Sequence, residues 1–142
     1  PHRWDYVHDQ VGFNYRMPNL NAAFGCAQLQ NLEKFLASKR QLFAKYEEVF
    51  QKFDFASILK EPSGCRSNYW LQTMMLHKPD KSLKEVLLSS LNEAGFMSRP
   101  AWTGIHKLNP FQNCPRMDMY TLENLEQKII NLPSSAFLSE KS

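Results

Sequence analysis

The apolar positions of this chain keep two rhythms. Between residues 32 and 53 they return every three or four residues, at Leu32, Phe35, Leu36, Leu42, Phe43, Tyr46, Val49, Phe50 and Phe53. That spacing draws one stripe along a helix, with Lys34, Lys39, Arg40, Lys45, Glu47 and Glu48 mostly on the other faces. A shorter helix is predicted before it, over Asn19–Asn31. Its small residues Ala22, Ala23, Gly25, Cys26 and Ala27 suit tight packing against another element. Nearer the start, His2, Trp4, Tyr6 and His8 recur at period two, which places them on one face of an extended segment.

Further on, Asn68–Leu76 (NYWLQTMML) reads as a buried strand. Ser82 and Glu85 have capping-box spacing. Leu83, Val86, Leu87, Leu91 and Ala94 then give a helix its buried face, and Gly95 ends it. Phe96–Trp102 reads as a second strand, with Pro100 placing it at an edge or bulge. A loop runs from about Thr103 to Tyr120. A last helix is predicted over Thr121–Ile130, and Leu132-Pro133-Ser134-Ser135 closes the ordered part. The order suggests an α+β layer, a small sheet covered by helices. Two strands are too few for an independent sheet, so a further short strand is expected near the end, or pairing with missing chain.

Composition narrows the class. At 142 residues the chain suits one domain, or a domain plus a piece of another. With 43% hydrophobic and 22% charged residues it has the balance of a soluble globular protein. A net charge of +3 is too mild to imply a nucleic-acid or membrane partner. Cys26, Cys65 and Cys114 lie far apart with no CxxC, so neither a disulfide framework nor a zinc site is suggested, and a cytoplasmic setting fits. The four histidines lack metal-ligand spacing. The chain opens at Pro1, in the middle of an aromatic pattern, which suggests a fragment of something longer.

Three stretches could carry chemistry. In VGFNYRMPNLNAAFGCAQL, residues 11–29, Asn14 and Arg16 sit between aromatics just before a helix start. An amide and a guanidinium there can grip a phosphate or carboxylate, helped by free backbone N–H groups. The plainer alternative is that Asn14 caps a turn and Arg16 pairs with Asp9. The second stretch, Arg99–Lys107, places Trp102, Gly104 and His106 where a strand gives way to a loop, as at a pocket rim. Its alternative is a core tryptophan and an exposed histidine. The third, Cys114-Pro115-Arg116, shows no base or helix start that would activate a thiolate, and reads as structural.

Residues 11–40, VGFNYRMPNLNAAFGCAQLQNLEKFLASKR, closely resemble a signature segment of the DegT/DnrJ/EryC1/StrS sugar-nucleotide aminotransferases. SNYWLQTMML, LNEAGFMSRPAWTGIHKL, CPRMD and IINLPSS follow in the family's order. The resemblance covers almost the whole chain. It implies the small C-terminal domain of the aspartate-aminotransferase (type I) fold, preceded by a long helix. Residues 1–31 would come from the large-domain and dimer-interface region, 32–53 would be the linking helix, and 54–142 the small domain. The cofactor implied is pyridoxal phosphate (PLP), and the partner a second copy in a homodimer. The subgroup resembled most makes amino sugars of the legionaminic-acid or bacillosamine type. Its reaction moves an amino group from L-glutamate to C4 of a UDP-linked 4-keto-6-deoxy-N-acetylhexosamine.

On this resemblance Asn14 is cofactor-binding, reaching the PLP phosphate across the dimer interface. Arg16, Trp102 and His106 are carried as substrate-binding. The family's PLP-bearing lysine lies upstream of the position of Pro1, so this chain is expected to be inactive alone. The alternative reading is a non-catalytic ligand-binding or interaction domain of the same fold.

Overall fold

The computed structural model describes residue 7, residues 10–13 and residues 17–140. Two helices open it, α1 (Asn19–Gln30) and α2 (Leu32–Phe50). Only Asn31 separates them, and its side-chain amide donates to the Ala27 carbonyl at 3.0 Å. The small residues of α1 find no tight partner among the described residues. None of them is buried, and a Cβ on Gly25 would meet nothing within 4 Å.

Four short strands follow: β1 (Ala56–Ile58), β2 (Gln72–Leu76), β3 (Arg99–Pro100) and β4 (Ile129–Leu132). They form one antiparallel sheet in the order β1-β2-β4-β3. Helix α3 (Lys81–Glu93) precedes β3, and α4 (Tyr120–Glu126) precedes β4. Along β2, Gln72, Met74 and Leu76 are buried, while Thr73 and Met75 between them are half-buried. That is the period-two signature of one face turned to the core.

Across that face lie Ile58 from β1 and Ile130 from β4, with Phe43 of α2 and Leu88 of α3. Burying each such side chain contributes about 1.5–3 kcal/mol. The result is an α+β fold, a small sheet flanked by helices. Among the described residues no helix is long and apolar enough to cross a membrane.

Several local expectations are revised. The last helix stops at Glu126, because Ile129 and Ile130 enter β4, where Ile130 pairs with Met74 and is fully buried. The further strand expected near the end is therefore β4, and β1 is an addition. Helix α3 is capped by Asp80, whose Oδ1 accepts from the Leu83 N–H at 2.9 Å, so Ser82 lies inside the first turn. Gly95, at φ +85°, does follow the helix end in the left-handed region where glycine is at ease. Only Arg99 and Pro100 of the predicted Phe96–Trp102 strand pair, and they form an edge as Pro100 requires. Beyond Ser135 the chain continues as a helical turn, Ala136–Glu140, tied to α2 by Lys45 Nζ donating to the Ser139 carbonyl at 2.8 Å.

Candidate functional site

The entry to β2 is where the backbone departs most from ordinary geometry. Tyr69 has φ +45°, the left-handed region that costs a non-glycine residue about 1–2 kcal/mol. Two side-chain turns hold it there. Ser67 Oγ accepts from the Tyr69 N–H, and Asn68 Oδ1 accepts from the Trp70 N–H, both at 3.0 Å. The twist sends neighbouring rings in opposite directions. Tyr69 turns inward and stacks on Phe43, with centroids 4.4 Å apart, while Trp70 stays 65% exposed.

An ion pair braces the same turn. Arg40 on α2 donates in a fork to Glu61 at 2.9 and 3.0 Å, and its guanidinium carbon lies 5.4 Å from the centre of the Tyr69 ring. Arg40 also donates to the Ser67 carbonyl at 2.7 Å, and the Ser67 N–H donates back to Glu61. The hydrogen bonds from Arg40, and next that from the Ser67 N–H, hold the Glu61 carboxyl down at about 2.

Lys39, one residue earlier on α2, ties the β2 entry to the β4 exit. Its ammonium donates to the Ser134 carbonyl at 2.6 Å, to Ser134 Oγ and the Trp70 carbonyl at 3.1 Å, and to the Tyr69 carbonyl at 3.4 Å. Ser134 Oγ in turn donates to the Trp70 carbonyl at 2.6 Å. Burial lowers the pKa of Lys39.

These contacts frame a cavity of about 490 Å³. Trp70 and Trp102 form one wall, stacked with centroids 6.1 Å apart and planes inclined by 19°. Met97, Leu132 and Pro133 add apolar surface, Asn131, Thr103 and Ser135 add neutral hydrogen-bonding groups, and Arg99 adds a guanidinium. Asn131 is held on the strand by Thr73 Oγ1, which donates to its Oδ1 at 3.0 Å. Such a space takes a ligand with a flat or apolar body and a few polar substituents.

The four candidate residues fall in different places. Trp102 lines the cavity. His106 does not. Its Nε2 lies 3.2 Å from Glu123 Oε1, its side chain is only 10% exposed, and its Nδ1 is buried without a partner. The loop around it is pinned to α4: the Gly104 N–H and Lys107 Nζ both donate to the Glu126 carboxylate. Asn14 and Arg16 lie outside the described residues. Sequence reasoning missed Trp70 and Lys39. Trp70 was legible in part, since adjacent residues in an extended segment face opposite ways and Tyr69 and Trp70 cannot both be core.

Comparison with known proteins places this geometry. The model of the DegT/DnrJ/EryC1/StrS aminotransferase family matches residues 2–142. GDP-perosamine synthase of Vibrio cholerae is 32% identical over 130 residues, 91% of this chain and 35% of that protein. UDP-4-amino-4,6-dideoxy-N-acetyl-beta-L-altrosamine transaminase of Campylobacter jejuni (strain 81-176) is 29% identical over 92 residues, 65% of this chain and 24% of that protein. The solved structure of S. venezuelae DesV, in complex with a ketimine intermediate, has a similar fold. Its TM-score is 0.75 at 18% identity, covering 96% of this chain and 36% of that one. The chain spans about a third of the length of the first curated relatives it matches. With the family model matched from residue 2 to residue 142, the chain belongs to the DegT/DnrJ/EryC1/StrS aminotransferase family.

Proposed function

We propose that this chain is the C-terminal part of a PLP-dependent aminotransferase acting on a nucleotide-linked keto sugar. The amino group comes from L-glutamate, which leaves as 2-oxoglutarate. The acceptor is a 4-keto-6-deoxy-N-acetylhexosamine linked to UDP, and the product serves surface-glycan synthesis. The observation that carries the reading is the family match over residues 2–142. The full enzyme is read as a cytoplasmic homodimer, with 1–31 toward the interface, 32–53 as the linking helix and 54–142 as the small domain.

The described residues do not by themselves make a PLP site. Lys39, the lysine on the cavity wall, is a poor fit for attaching the cofactor, because main-chain carbonyls and a hydroxyl already take its ammonium. On this proposal the attaching lysine lies upstream, and Asn14 supplies amide N–H donors to the PLP phosphate. PLP, when bound, carries the amino group from donor to acceptor. The other roles belong to this chain. Arg16 takes the substrate's diphosphate or braces the turn. Trp102 packs against the substrate. His106, fixed by Glu123, holds the loop that Trp102 begins.

The test is amination by the full-length enzyme. L-glutamate is supplied with either UDP-4-keto-6-deoxy-N-acetylhexosamine or GDP-4-keto-6-deoxymannose, and the sugar product is read by mass spectrometry. Both nucleotides are tried because one relative's name carries GDP and another's UDP. Amination of the UDP sugar is expected; a PLP-loaded enzyme that aminates neither refutes the proposal. Asn14→Ala is expected to weaken PLP retention with the dimer intact, and wild-type retention would sink that role.

A further inference from the structure

The geometry points to the outward face of the Trp70–Trp102 pair as the site that takes the nucleobase of the substrate. This rests on the reading of the substrate as a nucleotide-linked sugar. Three observations support it. Both rings are large and exposed, at 65% and 60%, although they flank a cavity on a rigid sheet. Their centroids are 6.1 Å apart, less than twice an ordinary stacking distance, so no flat ring fits between them. A planar ligand must therefore lie on the outside of the pair. The polar groups that line the same cavity include the Asn131 amide, the hydroxyls of Thr103 and Ser135, and the charged ends of Arg99 and Lys39.

The ammonium of Lys39, on the cavity wall, is taken up by main-chain oxygens. Exposed aromatic faces match the uncharged, flat end of a sugar nucleotide. A diphosphate is held instead by cations or free N–H groups, which the ring faces themselves do not supply. Lys39 and the left-handed Tyr69 act as positioning residues, because together they fix the backbone that aims Trp70 at Trp102.

The experiment is calorimetric titration of the intact protein carrying this chain with UDP and with GDP. The variants are Trp70→Leu, Trp102→Leu, Trp70→Phe and Trp102→Phe, with folding checked by far-UV circular dichroism. At least one nucleotide is expected to bind the wild type. Each leucine variant should weaken that binding between about fivefold and a hundredfold, the range of base-on-aromatic stacking. The phenylalanine variants keep an aromatic face and should recover most of it.

Leucine variants that bind as the wild type does overturn the site. If they also aminate with unchanged KM, the aminotransferase reading survives that failure. Phenylalanine variants as weak as the leucine ones overturn the stacking. No binding of either nucleotide by the wild type overturns the site, and absence of amination as well overturns the broader reading with it.

Discussion

Replacing Lys39 by methionine tests how the cavity wall is held. Methionine keeps an apolar stem of similar length and deletes the ammonium. The ammonium has three N–H groups facing four oxygens between 2.6 and 3.4 Å away, so the longest contact, to the Tyr69 carbonyl, is shared. A hydrogen bond from a charged donor contributes about 1.5–3 kcal/mol net. Three would sum to more than the variant should lose, for two reasons. Burial already disfavours the charged lysine, as its lowered pKa records. Water at the cavity mouth can also reach the freed carbonyls. A net loss of about 2–3 kcal/mol is expected, the size of one lost charged hydrogen bond. For a chain of this size that lowers Tm by on the order of 10 °C. Urea unfolding followed by far-UV circular dichroism measures the loss. Near-UV circular dichroism, sensitive to the Trp70–Trp102 stack, should change with it. Lys78→Met, at an exposed position, is the control and should stay within about 0.5 kcal/mol of wild type. A Lys39→Met protein as stable as the control variant, with an unchanged near-UV spectrum, would refute the role given to Lys39.

Glu61 is held at about 2 against an ordinary 4.5. Its contribution is therefore complete above pH 4.5 and fades as pH falls toward about 2. Glu61→Gln should flatten the acid limb of the urea midpoint across that window, and parallel curves for the two proteins would contradict it. Asp80→Ala should cost about 0.5–2 kcal/mol by removing the α3 cap, whereas Ser82→Ala should shift stability by less than about 0.5 kcal/mol; equal effects would restore Ser82 as the cap. In Gly104→Ala the new Cβ would fall 2.7 Å from His106 Cε1 and 2.9 Å from Glu126 Oε1. Displacing them should cost about 1–3 kcal/mol in thermal unfolding, and an unchanged Tm would show that the loop yields freely.

Helices announced themselves in the sequence where a long apolar stripe gave the period many turns in which to show. The α2 stripe is such a case, although its last turn loosens after Phe50. Short elements were harder. Ile129 and Ile130 extend the helical spacing of Leu122 and Leu125, and only pairing with β2 and β3 turns them into strand. Likewise β1 is three residues long, too short for alternation to register. The cavity was legible at Trp102, because a strand end leading to a loop is readable locally. Lys39 was not, since its acceptors lie 30, 31 and 95 residues away in the chain. Its spacing on α2 looked like that of any solvated lysine.

The strand order has a consequence for how the domain is made. The last strand among the described residues, β4, is not an edge strand but the link between β2 and β3. The bond from Thr73 to Asn131 spans 58 residues, and among the described residues β3 pairs with β4 alone. During synthesis β1 and β2 can pair early, leaving one side of β2 an open edge, the kind of surface that recruits foreign strands. Closing so long a loop is entropically costly and slows folding. The nascent domain therefore spends its most vulnerable interval waiting for four residues, Ile129–Leu132, whose arrival joins the two halves of the sheet at once.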